Sequence, residues 1–269
     1  MDEPASAAAV PNVHELTASA AWRAIDFISD LHLAADMPRT FAGWADYMQG
    51  TRADAVFILG DLFEVWAGDD ARDDEFEKRC VDVLARAARQ RAIGFMAGNR
   101  DFLVGTSMLD ACGLFALPDP TLLAAFGERV LLTHGDALCL SDVAYQRFRA
   151  QVRSAAWQAD FLARPLDERR ALARRLRDGS EERKRRMAGR DWPDIDAATT
   201  IGWMEAASAP NLIHGHTHRP ASGPIAPGRV RHVLSDWDLD QPPGRAEVLR
   251  LDARGLRRLP PAAAASPGA

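Results

Sequence analysis

The chain reads as an α/β protein, and three observations predict it. Short β-branched or apolar runs recur along the sequence, each stopping at a Gly, Asp or His. In the opening half they alternate with helical patterns, the order expected of a sheet layered with helices. One long stretch, about residues 137–207, breaks this rhythm with helical pattern almost alone, and reads as a helical cap inserted into the domain.

Residues 1–22, rich in Ala, Ser, Pro and Asn, are expected to form a mobile tail, and the folded domain is expected to span residues 23–258. Strands are predicted at AIDFIS (24–29), AVFILG (55–60), AIGFMAG (92–98), RVLLTH (129–134), NLIHG (211–215), RHVLS (231–235) and AEVLRL (246–251). Helical patterns fall at residues 41–48 and 76–89. The inserted cap contains DVAYQRFRAQVRSAAWQADFLA and then PLDERRALARRLRDG, the latter opened by Pro165 and closed by Gly179. Residues 259–269, ending PPAAAASPGA, offer little to pack and are expected to be a second tail.

Composition narrows the function classes. With 269 residues the chain can bury a sizeable core, and 47% hydrophobic and 26% charged residues are ordinary for a globular domain. A net charge of -5 speaks against a surface built wholly for nucleic acid. Cys80, Cys112 and Cys139 lack metal-ligand spacing and suit a reducing compartment. The opening Met1-Asp2-Glu3-Pro4 lacks the pattern of a secretory signal, and no run approaches the roughly 18 apolar residues of a membrane span. A cytoplasmic protein is expected.

The chemistry-bearing residues cluster where strands end. Asp30 and His32 follow the first strand and, if the chain stays extended, point the same way. Asp61 follows the second, beside Gly60. Asn99 and Arg100 follow the third, His134 the fourth, and the stretch IHGHTH carries His214, His216 and His218 after the fifth. Because open α/β sheets bind ligands beyond the carboxyl ends of their strands, these five ends are expected to converge on one crevice. Carboxylates, an amide and imidazoles form a mixed oxygen and nitrogen set suited to manganese, iron or zinc.

The ordered motifs Asp30-Leu31-His32, Gly60-Asp61, Gly98-Asn99-Arg100-Asp101, His134-Gly135-Asp136 and Gly215-His216-Thr217-His218 resemble those of the calcineurin-like metallophosphoesterases. The resemblance implies a sandwich of mixed β-sheets flanked by helices, holding two divalent ions, most readily manganese (Mn2+). It implies that Asp30, His32 and His218 hold one ion, that Asn99, His134 and His216 hold the other, and that Asp61 bridges them. A carboxylate shared by two cations offsets their repulsion and helps acidify a water. Asp61 and Arg100 are therefore the expected catalytic residues, Arg100 holding a phosphate oxygen with its planar fork. His214 reads as a packed residue or one that supports a ligand, and Asp101 and Asp136 as acceptors for ligand histidines or, by default, as turn residues.

Longer stretches, GDLFEVWAGDD, GNRDFLVG, HGDALCLSDVAYQRFR and HGHTHRP, are similar to the UDP-2,3-diacylglucosamine pyrophosphohydrolases of lipid A synthesis, over about residues 26–237. That likeness implies water attack on the α-phosphorus of a lipid-linked sugar nucleotide. The implied substrate contacts are Asn99, Arg100, Asp142, Ser180 and His216, with Lys184 where the family has Asn and then Lys further on. In the cap, Trp157, Phe161, Leu162, Leu166, Leu172 and Leu176 offer a slot for acyl chains. Basic residues from Arg169 to Arg186 suggest peripheral contact with anionic lipid on the cytoplasmic face of the inner membrane. No nucleic acid and no obligate protein partner are expected. Another phosphoester as substrate, or a non-catalytic scaffold on the same fold, are the rival readings.

Overall fold

The computed structural model describes residues 11–186 and 193–266, with the side chains of 178–186 left out. In chain order it forms β1 (His14–Thr17), β2 (Ala24–Ile28), α1 (Pro38–Gly50), β3 (Ala55–Leu59), α2 (Glu75–Ala88), β4 (Ala92–Met96), α3 (Thr106–Cys112) and β5 (Phe115–Ala116). There follow β6 (Thr121–Ala125), β7 (Glu128–Thr133), α4 (Val143–Val152), α5 (Ala155–Leu162), α6 (Leu166–Arg186) and α7 (Ala197–Ala206). The chain closes with β8 (Asn211–His214), β9 (Ala221–Ala226), β10 (Arg229–Val233), β11 (Val248–Asp252), β12 (Gly255–Leu259) and α8 (Pro261–Ala264).

Two six-stranded sheets result, ordered β12-β11-β2-β3-β4-β5 and β1-β6-β7-β8-β10-β9. The pleat explains their stacking, since successive side chains on a strand leave opposite faces. On β3, Phe57 and Leu59 turn toward the second sheet and meet Leu123, Val130, Leu132 and Ile213. Val56 and Ile58 turn the other way, onto Trp44 and Met48 of α1 and Val83 and Leu84 of α2. All five residues of β3 are buried, as a central parallel strand covered on both faces requires. The outer face of the second sheet carries Leu122, Leu131 and Leu212 against Trp203 and Met204 of α7. Mixed sheets flanked by helices is the class the sequence predicts.

Helix ends follow local chemistry. Pro38 opens α1, where its missing N–H costs nothing. Asp142, Ser154 and Asp196 each accept a backbone N–H at the start of α4, α5 and α7, from Tyr145, Trp157 and Thr199. α4 to α7 occupy the stretch expected to be an insertion, with no strand among its described residues.

Both expected tails are shorter than read from composition. His14–Thr17 pairs in parallel with β6 as an edge strand, although only Leu16 leans on the core. At the other end, α8 packs on α1, and Ala264 is fully buried. Small side chains that look unable to pack can still fill a narrow gap.

Candidate metal centre

Asp30 and His32 lie beyond β2, Asp61 beyond β3, Asn99 and Arg100 beyond β4, His134 beyond β7, and His216 and His218 beyond β8. β2, β3 and β4 run parallel in one sheet, as do β7 and β8 in the other, so the loops leave corresponding ends and meet.

Asp30 and His32 do not keep the extended backbone read from their spacing. They sit past the strand in the left-handed region, at φ 55° and 49°, and Asp61, His216 and His218 share it at 54°, 65° and 51°. Such backbones cost about 1–3 kcal/mol per non-glycine residue and persist only where the surroundings enforce them. Here the loops bind one another. The carbonyl of Asp61 accepts from Leu31 and His32 N–H at 2.9 and 3.0 Å, and both carboxylate oxygens of Asp30 lie 3.0 Å from His216 N. Gly60 turns at φ 89°, and Gly98 approaches so closely that an added Cβ would strike the Asp61 carboxylate.

The donors fall into two groups. In one, His32 Nε2 and His218 Nε2 are 3.2 Å apart, and His218 Nε2 is 3.4 Å from Asp30 Oδ1. In the other, Asn99 Oδ1 lies 3.0 Å from His134 Nε2 and 2.8 Å from His216 Nδ1. Asp61 stands between, with Oδ2 3.9 Å from His32 Nε2 and Oδ1 3.7 Å from His134 Nε2. Its place is held from behind by the N–H of Arg100, which donates to Oδ1 at 2.8 Å.

Whether these residues fit cations can be judged from their hydrogen bonds. His134 Nδ1 donates to Leu59 O at 2.9 Å, which leaves Nε2, facing Asn99 Oδ1, as the nitrogen open to a proton or a cation. His32 Nε2 likewise faces another imidazole nitrogen. Ring nitrogens, an amide oxygen and carboxylates converge at hydrogen-bond distance, an arrangement that shared protons or a cation satisfies. Electrostatics agree: burial disfavours the charged form of His134, yet the charges of Asp61, Asp136 and Asp30 outweigh it and lift its pKa to about 9. Burial also opposes ionisation of Asp30, but His218 and then His134 and His32 hold its carboxyl far below the usual range. The site is short of positive charge, and its oxygen and nitrogen donors fit divalent cations.

A cavity of about 680 Å³ opens from this cluster toward the helical insertion, reaching Phe102, Trp157, Phe161 and Leu176. Arg100 and Asp142 line it as well. Leu162 and Leu166 do not line it, and Leu172 packs against the core. The side chains of Ser180 and Lys184 lie outside the described residues. The basic run divides by role: Arg169 is buried in a bidentate pair with Asp70, Arg170 pairs with Asp74, and Arg174 and Arg175 are exposed.

Known proteins are similar to this sequence along most of its length. The chain is 43% identical over 244 residues to UDP-2,3-diacylglucosamine hydrolase of Chromobacterium violaceum, covering 88% of this chain and 98% of the relative. It is 41% identical to the protein so named in Xanthomonas oryzae pv. oryzae, over 86% of this chain and 96% of that one. The chain belongs to the UDP-2,3-diacylglucosamine hydrolase family. No protein-family model matches it. Among solved structures it is similar to an archaeal phosphodiesterase at a TM-score of 0.45 and 11% identity, covering 88% of this chain and 98% of that one.

Some residues around the cluster escape sequence reading. Asp136, read as a turn residue, is fully buried and accepts from Arg149 Nε and Tyr145 OH, both at 2.7 Å, fastening α4 to the loop after His134. The Tyr145 ring in turn stacks on His216, with centroids 6.0 Å apart. Asp101 serves as expected of a loop residue, accepting from Leu62 N and Gly98 N at 2.7 Å. Glu64 lines the cavity beside His32, and its only trace in the sequence is a charge inside the apolar stretch LFEVW.

Proposed function

We propose that this chain hydrolyses the pyrophosphate bond of UDP-2,3-diacylglucosamine by water attack at the α-phosphorus, releasing UMP and 2,3-diacylglucosamine 1-phosphate, a step of lipid A biosynthesis. The observation that carries the reading is the cavity itself, which joins a cation-deficient donor cluster to an apolar wall in a chain 41–43% identical to hydrolases of that name. Phosphate chemistry needs the first, and acyl chains need the second.

Asp30, His32 and His218 would hold one divalent cation and Asn99, His134 and His216 the other, with Asp61 shared, and manganese is the ion we assign. When bound, the pair would acidify water and polarise a phosphoryl oxygen. Arg100, at the cavity wall, would bind phosphate oxygens as charge builds on them. Asn99, His216 and Asp142 also line the cavity and would contact substrate, and we extend that role to Ser180 and Lys184. One Asp142 oxygen already caps α4, so its contact with substrate would come on a fixed helix end.

The same reading puts the cap at the lipid. The exposed large apolar side chains among the described residues are Val143, Leu162 and Leu176, all on cap helices, with exposed Arg174 and Arg175 beside Leu176. Among the described residues no helix is long and apolar enough to cross a membrane. Peripheral contact with the cytoplasmic face of the inner membrane would bring the cavity to an acylated substrate.

Hydrolysis of UDP-2,3-diacylglucosamine in oxygen-18 water with manganese, followed by mass spectrometry of the products, tests the proposal. Label is expected in UMP. Label in the sugar phosphate would move the attack to the other phosphorus, and comparable turnover of a generic aryl bis-ester would overturn the substrate assignment.

A further inference from the structure

Glu64 sits where three structural units meet. Its backbone N–H donates to Leu33 O at 3.2 Å, and Leu33 and Phe63 form a parallel bridge, so the loops after β2 and β3 are joined just before it. This fixes a carboxylate that is only 12% exposed. Its Oε2 lies 2.9 Å from His32 Nδ1, a bent contact that favours the ring proton on Nδ1. Its Oε1 accepts from Arg177 Nε at 2.6 Å and lies 3.4 Å from Arg100 Nη1. His32 belongs to the donor cluster, Arg100 to the cavity wall and Arg177 to α6 of the cap.

Two physical consequences follow. A carboxylate at Nδ1 orients the imidazole and keeps Nε2 as the bare, more basic nitrogen that faces the other donors. The same carboxylate neutralises guanidinium charge that would otherwise repel cations from the cluster next to it. Removing it would release the ring and expose that charge together.

We propose that Glu64 is a positioning residue that aims His32 at its cation and shields that cation from Arg100 and Arg177. The role rests on the two-cation reading above. It also sets apart binding and turnover. Arg100 and Arg177 line the cavity and keep their guanidinium charge when Glu64 is lost, so loss of the carboxylate weakens metal and slows turnover without weakening substrate binding.

The test is titration of metal-free full-length protein with Mn2+, following free Mn2+ by electron paramagnetic resonance, for wild type, Glu64→Gln and Glu64→Ala. Wild type is expected to bind two ions. Glu64→Ala is expected to weaken one of them by about 10–100-fold, and Glu64→Gln, which keeps an acceptor near His32 but loses the charge, by less. At saturating Mn2+, kcat should fall in both variants while KM stays level or drops. Wild-type affinity for both ions in either variant would overturn the role, as would equal weakening of both ions with a lowered melting temperature, the mark of a collapsed loop. If the Ala variant does not fold, the Gln variant decides alone. A wild-type chain that bound no manganese would instead overturn the two-cation reading, and this role with it.

Discussion

His214 uses both ring nitrogens inside the protein. Nδ1 donates to Gly215 O at 2.7 Å, and Nε2 accepts from Arg231 Nε at 2.8 Å, so no lone pair is left for an ion. It is the packed residue the sequence predicts, two positions from a histidine that faces the donor cluster. Burial, and then the Arg231 charge, lowers its pKa to about 3. The unfolded chain therefore takes up a proton here near the ordinary histidine pKa of about 6.5, which the folded chain refuses until about pH 3. Stability from this group is complete above that upper value and is lost as pH falls, at up to about 1.4 kcal/mol per pH unit. Glutamine can donate and accept in similar places without titrating. His214→Gln should thus flatten the fall of the urea midpoint between neutral and mildly acidic pH, and an unchanged slope would remove His214 as its source.

At the scale of elements, the loops carry the site and the strands carry the loops. β2, β3, β4, β7, β8 and β11 were legible because they are mostly buried runs of apolar residues bounded by Gly, Asp or His, and β10 (RVRHV) only toward its buried end, at His232 and Val233. β6 (TLLAA) is a buried apolar run as well, though not among the predicted strands, and three others lacked the signal for distinct reasons. β1 is a largely exposed edge, β5 has two residues, and β9 (ASGPIA) contains both Gly and Pro, which a pattern of strand formers does not suggest. The loop after β4 shows how tightly an element end is specified. Gly98 leaves no room for a side chain against Asp61, and Asp101 holds Gly98 N–H from the same turn. Gly98→Ala should push the Asp61 carboxylate out of place and lower kcat by at least about tenfold, a barrier increase of about 1.4 kcal/mol. Steady-state kinetics of the folded variant at wild-type rates would show that the turn absorbs a methyl group.

Across the whole molecule, remote segments are locked by buried charge. Arg250 on β11 is 2% exposed and donates to Asp26 Oδ1 on β2 at 2.7 Å, while Nη2 reaches Ala264 O on α8 at 3.0 Å. Tyr47 and Thr51 donate to the same carboxylate at 3.0 and 2.7 Å. Arg250→Met would leave that carboxylate buried without its countercharge, and chemical denaturation should report a loss of about 3–5 kcal/mol. A loss below about 1 kcal/mol would mean that the two hydroxyls suffice. This network also explains why the C-terminal stretch, featureless as a sequence, is docked over its first part. By itself the sequence determined the α/β class and the run of helices between β7 and β8, and it marked polar residues at the strand ends, because periodicity and motif spacing are local properties of the chain. Only the tertiary structure decided that Asp136 and Glu64 fasten the cap to the donor groups, and which cap residues face the cavity. Those are distances between segments far apart in sequence, set by how the two sheets stack, and no local pattern encodes them.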